Sequence, residues 1–190
     1  MIVREKCTLS FESTMPTNIE IKAVLTDRAA AERIAARLSD TGPEVIEQED
    51  HFFPCESVRL KLRILASDSG ELIRYDRSNL AEARPSNYLI ARTSDPHVLL
   101  EILTATLGQS GSVKKTRKLY LVGQTRIHID QVEGLGDFLE LEVVLRPGQS
   151  DAEGKTIASR LLSAFEINQH QLLSDAYIDL LQRQPRQTRS

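Results

Sequence analysis

Apolar and polar residues alternate one by one along several stretches of the chain, which is the pattern of half-buried β-strands. The alternation is clearest in residues 18–25, 58–65, 125–130 and 138–145. Weaker alternation in residues 48–53, 71–77, 86–92 and 113–122 predicts four more strands. Because Gly123 stands in a very short connection between two of them, antiparallel hairpins are favoured.

Four amphipathic helices are predicted between and after these strands, at residues 27–38, 95–107, 150–165 and 169–181. Pro96 suits the first turn of the second helix, and Ser150 with Glu153 forms a capping-box pattern at the start of the third. Each helix has an apolar stripe, which we expect to pack on the apolar face of the sheet. The stripe of the second helix consists of Leu99, Ile102, Leu103 and Leu107, and that of the fourth consists of Leu172, Leu173, Tyr177, Leu180 and Leu181. The pattern predicts an α+β fold.

The polar face of the predicted strands carries an unusual number of charges. Its cations are Lys22, Arg59, Lys61, Arg63, Lys115, Arg117 and Arg126, and its carboxylates are Glu20, Asp130, Glu140 and Glu142. One interpretation is an open sheet with a solvated face. The other is an eight-stranded sheet that closes into a barrel and encloses this face. An enclosed face of this kind would bind a polyanion together with a divalent metal ion.

Composition narrows the choice of protein class. The chain has 190 residues, 24 Lys and Arg against 27 Asp and Glu, and 41% hydrophobic residues, as in ordinary globular domains. No apolar run approaches the roughly 18–20 residues of a membrane span, and we expect neither a membrane nor a nucleic-acid partner. The two cysteines are too few for a disulfide scaffold, and a cytoplasmic location is expected. We predict a leader at residues 1–15, one domain at 16–182 and a tail at 183–190.

A series of short motifs resembles one known family. The strings are NIEIK (18–22), RLKLR (59–63), ELIRYDR (71–77), RIHID (126–130), VEGLGDFLELE (132–142) and YIDLL (177–181), together with Gln48-x-Asp50-x-Phe52-Phe53 and Lys115-x-Arg117. Taken in chain order, these motifs are similar to those of the CYTH family, the triphosphate tunnel metalloenzymes. That family includes class IV adenylate cyclases, thiamine triphosphatases and inorganic triphosphatases. The resemblance spans residues 17–181.

The resemblance implies an eight-stranded antiparallel β-barrel with helices packed outside, and often a homodimer. By position it implies that Glu20, Glu140 and Glu142 bind Mg²⁺ or Mn²⁺. It also implies a set of triphosphate-binding cations, namely Lys22, Arg59, Lys61, Arg63, Arg77, Lys115, Arg117 and Arg126. Asn18 departs from the family pattern, which usually has Glu there. This change is expected to weaken the metal site or to leave one ion instead of two.

His128 and Asp130 lie on the same strand face as Arg126 and are our candidates for catalysis. As a pair they would hold or deprotonate a nucleophile. The alternative is a structural, hydrogen-bonded histidine. Tyr75 lies on the same face as Arg77 and is a candidate for contact with a base or a sugar.

The leading functional prediction is a class IV adenylate cyclase-like enzyme that converts ATP to cyclic AMP and pyrophosphate. The first alternative is a triphosphatase that removes the terminal phosphate of ATP, thiamine triphosphate or inorganic triphosphate. The second is a module that binds nucleotide or polyphosphate without turnover, with Asn18 as the mark of a degraded metal site.

Overall fold

The computed structural model describes residues 17–77 and 84–184, without the side chains of residues 76, 77 and 84. The elements are β1 (Thr17–Val24), α1 (Arg28–Leu38), β2 (Thr41–Phe53), β3 (Arg59–Ala66), β4 (Ser69–Arg77), β5 (Arg84–Thr93), α2 (Pro96–Leu107), β6 (Gly111–Val122), β7 (Thr125–Val132), β8 (Gly136–Val144), α3 (Asp151–Ala164), β9 (Leu172–Leu173) and α4 (Tyr177–Arg183). The predicted leader, and all of the predicted tail beyond residue 184, lie outside the described residues.

The first eight strands form a closed antiparallel barrel. Around the barrel the strands follow the order β1, β8, β7, β6, β2, β3, β4 and β5, and β5 pairs with β1 to close the ring. β1 pairs with β5 through residues 17–20 and with the short β9 through Lys22 and Ala23. The predicted α+β barrel is therefore confirmed, and the alternative of an open sheet is wrong.

The main hydrophobic core lies outside the barrel wall, between β1, β7 and β8 on one side and helices α1 and α3 on the other. Its wholly buried strand residues are Ile19, Ile127, Ile129, Leu139, Leu141 and Val143. Helix α3 begins with the predicted capping box of Ser150 and Glu153. It approaches β1 closely at Gly154, where a Cβ atom would lie only 2.6 Å from the Ile19 side chain.

Helix α2 buries less of its apolar surface than the sequence pattern predicts. The helix packs on β2, β3 and β4. The side chains of Leu99 and Leu103 are partly buried, whereas Ile102 is 56% exposed and Leu107 is 41% exposed. The prediction that Ile102 and Leu107 belong to the buried stripe is wrong, because the stripe that meets the sheet runs from Pro96 through Leu99 and Leu103.

The predicted fourth helix, at residues 169–181, is not continuous. Gln169–Gln171 form one 3₁₀ turn, Leu172–Leu173 pair with β1 as β9, and α4 begins only at Tyr177. The apolar spacing of Leu172 and Leu173 resembles a helical stripe, but their backbone groups bond to the edge of β1 instead. This break places Tyr177 at the start of α4, next to the interior of the barrel. In the described part of the chain, no helix is long and apolar enough to cross a bilayer.

Candidate active site

The interior of the barrel contains a polar cavity of about 590 Å³. Each of the eight barrel strands contributes lining side chains, and Ala176 and Tyr177 contribute from the C-terminal segment. The alternation of the strands explains this: the residues between those of the hydrophobic core point inward. The charged strand face is enclosed, as the barrel interpretation predicts.

The charges around this cavity are balanced among the described residues. The cations are Lys22, Lys61, Arg63, Arg92, Lys115, Arg117 and Arg126, and the carboxylates are Glu20, Glu44, Glu47, Asp50, Glu71, Glu140 and Glu142. The sequence pattern predicts an excess of cations on this face. That prediction is wrong because β2 and β4 bring additional carboxylates to the cavity.

Asp50 organises one cluster of ions, on β2 and β3. Its carboxylate accepts hydrogen bonds from Lys61 Nζ at 2.8 Å and from Arg63 Nε at 2.9 Å. Burial alone would raise the pKa of Asp50, but Arg63 and Lys61 outweigh burial and hold it far below its ordinary value. Burial lowers the pKa of Lys61 to about 8, although Asp50 partly opposes the change.

Asp130 organises a second cluster, and this carboxylate is completely buried. It accepts hydrogen bonds from Lys115 Nζ at 2.9 Å, from Arg117 at 2.6 Å to each of its oxygens, and from the Tyr177 hydroxyl at 3.0 Å. Burial raises the pKa of Asp130, but Arg117 and Lys115 outweigh burial and keep it well below its ordinary value. Asp130 is therefore a fixed anion that orients cations.

Glu140 and Glu142 lie two residues apart on β8 and both face the cavity. Glu140 accepts hydrogen bonds from Lys22 Nζ at 2.8 Å and from Arg117 at 2.7 Å. A Glu142 oxygen lies 2.9 Å from Arg126 Nε. Burial raises the pKa of both carboxyls. The Lys22 charge outweighs burial at Glu140, and the neighbouring His128 and Arg126 outweigh it at Glu142. The pKa of each carboxyl therefore lies below its ordinary value.

His128 completes a cluster with these two carboxylates. Its Nδ1 atom lies 3.9 Å from Glu140 Oε2 and 3.9 Å from Glu142 Oε1. The three side chains offer ligand atoms that all lie within 4.8 Å of one another. Burial, followed by the Arg117 charge, lowers the pKa of His128, so its imidazole is neutral near pH 7.

His128 and Asp130, the predicted catalytic candidates, make their contacts with different partners. Asp130 bonds to Lys115, Arg117 and Tyr177, whereas His128 Nδ1 faces Glu140 and Glu142. The two residues lie two positions apart on β7, so they meet different cross-strand neighbours. His128 lies opposite Glu140 of β8, and Asp130 lies opposite Arg117 of β6. A catalytic role for either residue stays a prediction.

The remaining predicted site residues divide into three groups. Glu20, Lys22, Lys61, Arg63, Lys115, Arg117 and Arg126 all line the cavity. Arg59 does not: its guanidinium forms a two-point bond with Asp179 of α4, at 3.1 and 2.7 Å, beside a second cavity of about 430 Å³. The side chain of Arg77 lies outside the described residues.

Sequence patterns missed two residues of this site. Asp50 belongs to the motif Gln48-x-Asp50-x-Phe52-Phe53, but the sequence pattern does not indicate which cation it bonds to. In the structure it lies directly opposite Arg63 in the register of β2 and β3. The sequence pattern predicts that Tyr177 belongs to the apolar stripe of a continuous helix. In the structure its ring lies 4.2 Å from Lys22 Nζ and 4.9 Å from Lys115 Nζ, as a cation–π partner of both.

A divalent cation fits the residues around Glu140 and Glu142. The two carboxylates are the oxygen ligands that such ions prefer. Among the described residues, three buried polar atoms of cavity-lining side chains have no hydrogen-bond partner: the acceptor Asn18 Oδ1, His128 Nδ1 and the donor Arg126 Nε, which lies near Glu142. Buried polar atoms are normally paired, so orphaned lone pairs beside carboxylates favour a cation.

The fold is a closed antiparallel barrel whose interior is polar and ion-paired. The model of the CYTH domain matches residues 16–177, and the chain belongs to this family. No curated protein sequence matches the chain.

Solved structures share the fold. The protein PH1012 from Pyrococcus horikoshii is 23% identical with a TM-score of 0.77, over 86% of this chain and 98% of that one. A proposed adenylate cyclase from Vibrio parahaemolyticus is 16% identical with a TM-score of 0.73, over 87% and 97% of the two chains. HpAC1 from Hippeastrum, a proposed adenylyl cyclase with a dominant triphosphatase activity, is 17% identical with a TM-score of 0.57, over 80% and 89%. These similarities establish the fold.

Proposed function

We propose that the protein is a divalent-metal-dependent enzyme that hydrolyses the terminal phosphate of a small triphosphate. The observation that carries the proposal is the arrangement of the barrel cavity. Cations of β3 and β6 and carboxylates of β8 face the same space of about 590 Å³, which is the size of a small-molecule site.

The cations of β3 are the first candidates to bind the phosphate chain. Lys61 and Arg63 each make one bond to Asp50 and remain 14% and 18% exposed at their side chains. An arginine has five N–H donors and a lysine has three, so both retain donors for phosphate oxygens. Lys22, Lys115, Arg117 and Arg126 would continue this binding surface. Arg59 and Arg77 remain predicted contributors.

Charge balance explains why a metal ion is needed. Because the described lining has as many carboxylates as cations, it does not by itself neutralise a triphosphate. Glu140, Glu142 and Glu20, whose Cα lies opposite Glu142, would hold the divalent cation. When bound, the cation supplies the missing positive charge at the phosphate oxygens.

Hydrolysis is favoured over cyclisation by the state of Asp130. Cyclisation requires a ribose hydroxyl to be positioned and deprotonated, and the partners of Asp130 leave it little capacity to act with His128 in this role. The carboxylate of Asp130 already accepts hydrogen bonds from Lys115, Arg117 and Tyr177. HpAC1, which shares the fold, supports the same choice through its dominant triphosphatase activity.

Adenylate cyclase is the second candidate, and one part of the cavity favours it. Ile73, Tyr75, Tyr88 and Ile90 line the wall formed by β4 and β5. An apolar wall with two aromatic rings is suited to a nucleobase. Binding of nucleotide or polyphosphate without turnover is the third candidate, and an experiment must distinguish it from hydrolysis and from cyclisation.

Phosphorus NMR of the purified protein with inorganic triphosphate and with ATP, each with Mg²⁺ or Mn²⁺, tests the proposal. We expect orthophosphate as a product from at least one substrate. Pyrophosphate with cyclic AMP would establish a cyclase, and unchanged spectra with both ions would establish a binding module. Glu142→Gln should reduce turnover at least about 100-fold, since it removes a metal-holding charge. The matched control is Glu133→Gln at an exposed turn, which should leave turnover unchanged.

A further inference from the structure

His128 presents a buried nitrogen lone pair to the two carboxylates of β8. The residue is 4% exposed, and its Nδ1 atom has no hydrogen-bond partner among the residues that the structure describes. The separations of 3.9 Å to Glu140 Oε2 and Glu142 Oε1 are too long for hydrogen bonds. A buried imidazole nitrogen left in this state is costly unless something else binds it.

The same separations are suited to a shared metal ion. Metal–ligand bonds to nitrogen and oxygen are about 2.1 Å long, so two ligands of one ion lie at most about 4.2 Å apart. Both 3.9 Å distances fall within this limit. The strand register makes the arrangement rigid, because His128 lies directly opposite Glu140 and both strands are backed by wholly buried residues.

We propose that His128 is a direct nitrogen ligand of the metal ion held by Glu140 and Glu142, and that it makes the site prefer Mn²⁺ or another first-row transition-metal ion to Mg²⁺. This inference rests on the proposed function only for the placement of the cation at Glu140 and Glu142. Imidazole is a ligand of transition metals, whereas Mg²⁺ prefers oxygen and water.

Asn18 strengthens the preference. On β1 it stands two residues before Glu20, so it is a diagonal neighbour of Glu142, and it contributes an uncharged oxygen to the same cavity. A site with neutral nitrogen and amide oxygen ligands holds less negative charge than a site made only of carboxylates. Such a site binds the hard, strongly hydrated Mg²⁺ less well, and it depends more on the nitrogen ligand.

Pulsed electron paramagnetic resonance of the protein loaded with Mn²⁺ alone tests the proposal, because it detects nitrogen bonded to the ion. We expect a nitrogen coupling in the wild type and in His51→Gln, and its loss in His128→Gln. His51 is the matched control, since it is buried, bonds to Gln109 and does not line the cavity. If His128→Gln does not fold, the wild-type spectrum and its loss in Glu142→Gln decide the question.

Metal affinities measured by calorimetry give the second readout. His128→Gln should weaken Mn²⁺ binding at least about 10-fold and change Mg²⁺ binding less than about 3-fold, and His128→Asp should shift the preference toward Mg²⁺. The proposal is overturned by Mn²⁺ bound without nitrogen coupling, by an equal loss of both ions, or by failure of Mn²⁺ to bind. The metal-binding measurements contain no substrate, so they are independent of the turnover assay by phosphorus NMR. Nitrogen coupling without turnover would refute only the proposed hydrolase, and turnover without nitrogen coupling would refute only His128 as a metal ligand.

Discussion

The barrel has two unlike halves, which differ in how completely their side chains are buried. The packed half, made of β1, β6, β7 and β8, packs against α1 and α3, and its core residues Ile19, Ile127 and Leu141 are 0% exposed. The thin half, made of β2 to β5, is backed mainly by α2, and it leaves Leu89 and Ile90 46% exposed. Only the packed half contains the cluster of His128, Glu140 and Glu142.

The ion pairs follow the same division. The side chains of Asp130, Lys115 and Arg117 in the packed half are 0%, 3% and 6% exposed. Those of Asp50, Lys61 and Arg63 in the thin half are 5%, 14% and 18% exposed. Desolvated pairs fix geometry and tolerate no loss of a partner, whereas partly solvated cations can exchange a carboxylate for a phosphate. We infer that the packed half orients the metal ligands and that the thin half adapts to the substrate.

The largest expected effect is on stability, when a central carboxylate is neutralised. Asp130→Asn removes the carboxylate that bonds to Lys115 and one of the two carboxylates that bond to Arg117, and we expect a loss of about 3–5 kcal/mol in the free energy of unfolding. Asp50→Asn in the thin half should cost about 1–3 kcal/mol, because water reaches its partners. Urea denaturation of both variants checks the difference, and equal losses would remove the distinction between the halves.

Truncation of a side chain behind the packed half should also cost more stability than truncation behind the thin half. Leu141→Ala opens a cavity in the packed half and should cost about 2–5 kcal/mol of unfolding free energy. Ile102→Ala on the exposed side of α2 should change stability by less than about 0.5 kcal/mol. Thermal and urea unfolding measure both. A large effect at Ile102 would show that this helix surface is covered in solution.

Substrate affinity should depend on the thin half. Lys61→Ala and Arg63→Ala each remove a charged donor and should weaken triphosphate binding about 10- to 100-fold. Arg92→Ala is the matched control, since this side chain also lines the cavity but is 88% exposed, and its effect should be less than about 3-fold. Calorimetric titration with a non-hydrolysable imido analogue of inorganic triphosphate in the presence of Mn²⁺ measures all three, and comparable losses at Arg92 would contradict the assignment.

The smallest expected effect is a pH dependence that arises at Lys61. Because burial lowers the pKa of Lys61 to about 8, its ammonium loses a proton as the pH rises through that value, and triphosphate affinity should fall. Lys61→Arg keeps its charge in this range, so its affinity should not fall there. Binding measured between about pH 7 and 9.5 tests this. A parallel decline in both proteins would assign the effect to another group.

The strands were predictable because side-chain alternation is a local property. All eight predicted strands occur, and the charged alternate residues 61, 63, 115, 117, 126, 140 and 142 do share the cavity. The capping box of Ser150 was equally local. These features depend on residues close in sequence.

The errors concern partners that are distant in sequence. The pairing of Leu172 and Leu173 with β1 required knowledge of a free strand edge some 150 residues earlier. The balance of charge depended on Asp50, which meets Lys61 and Arg63 only through the register of β2 and β3. Likewise, strand alternation places His128 and Asp130 on one face, but the partners that separate them belong to β6, β8 and α4.

The central claim is that a triphosphate binds in the barrel cavity only together with a divalent cation, because the described lining is charge-balanced. Calorimetric titration with a non-hydrolysable imido analogue of inorganic triphosphate, with Mn²⁺ and with a chelator, tests it most directly. We predict that binding with Mn²⁺ is at least about 100-fold tighter than binding with the chelator, and that Glu142→Gln removes most of this difference. Equal affinity under the two conditions would contradict the account.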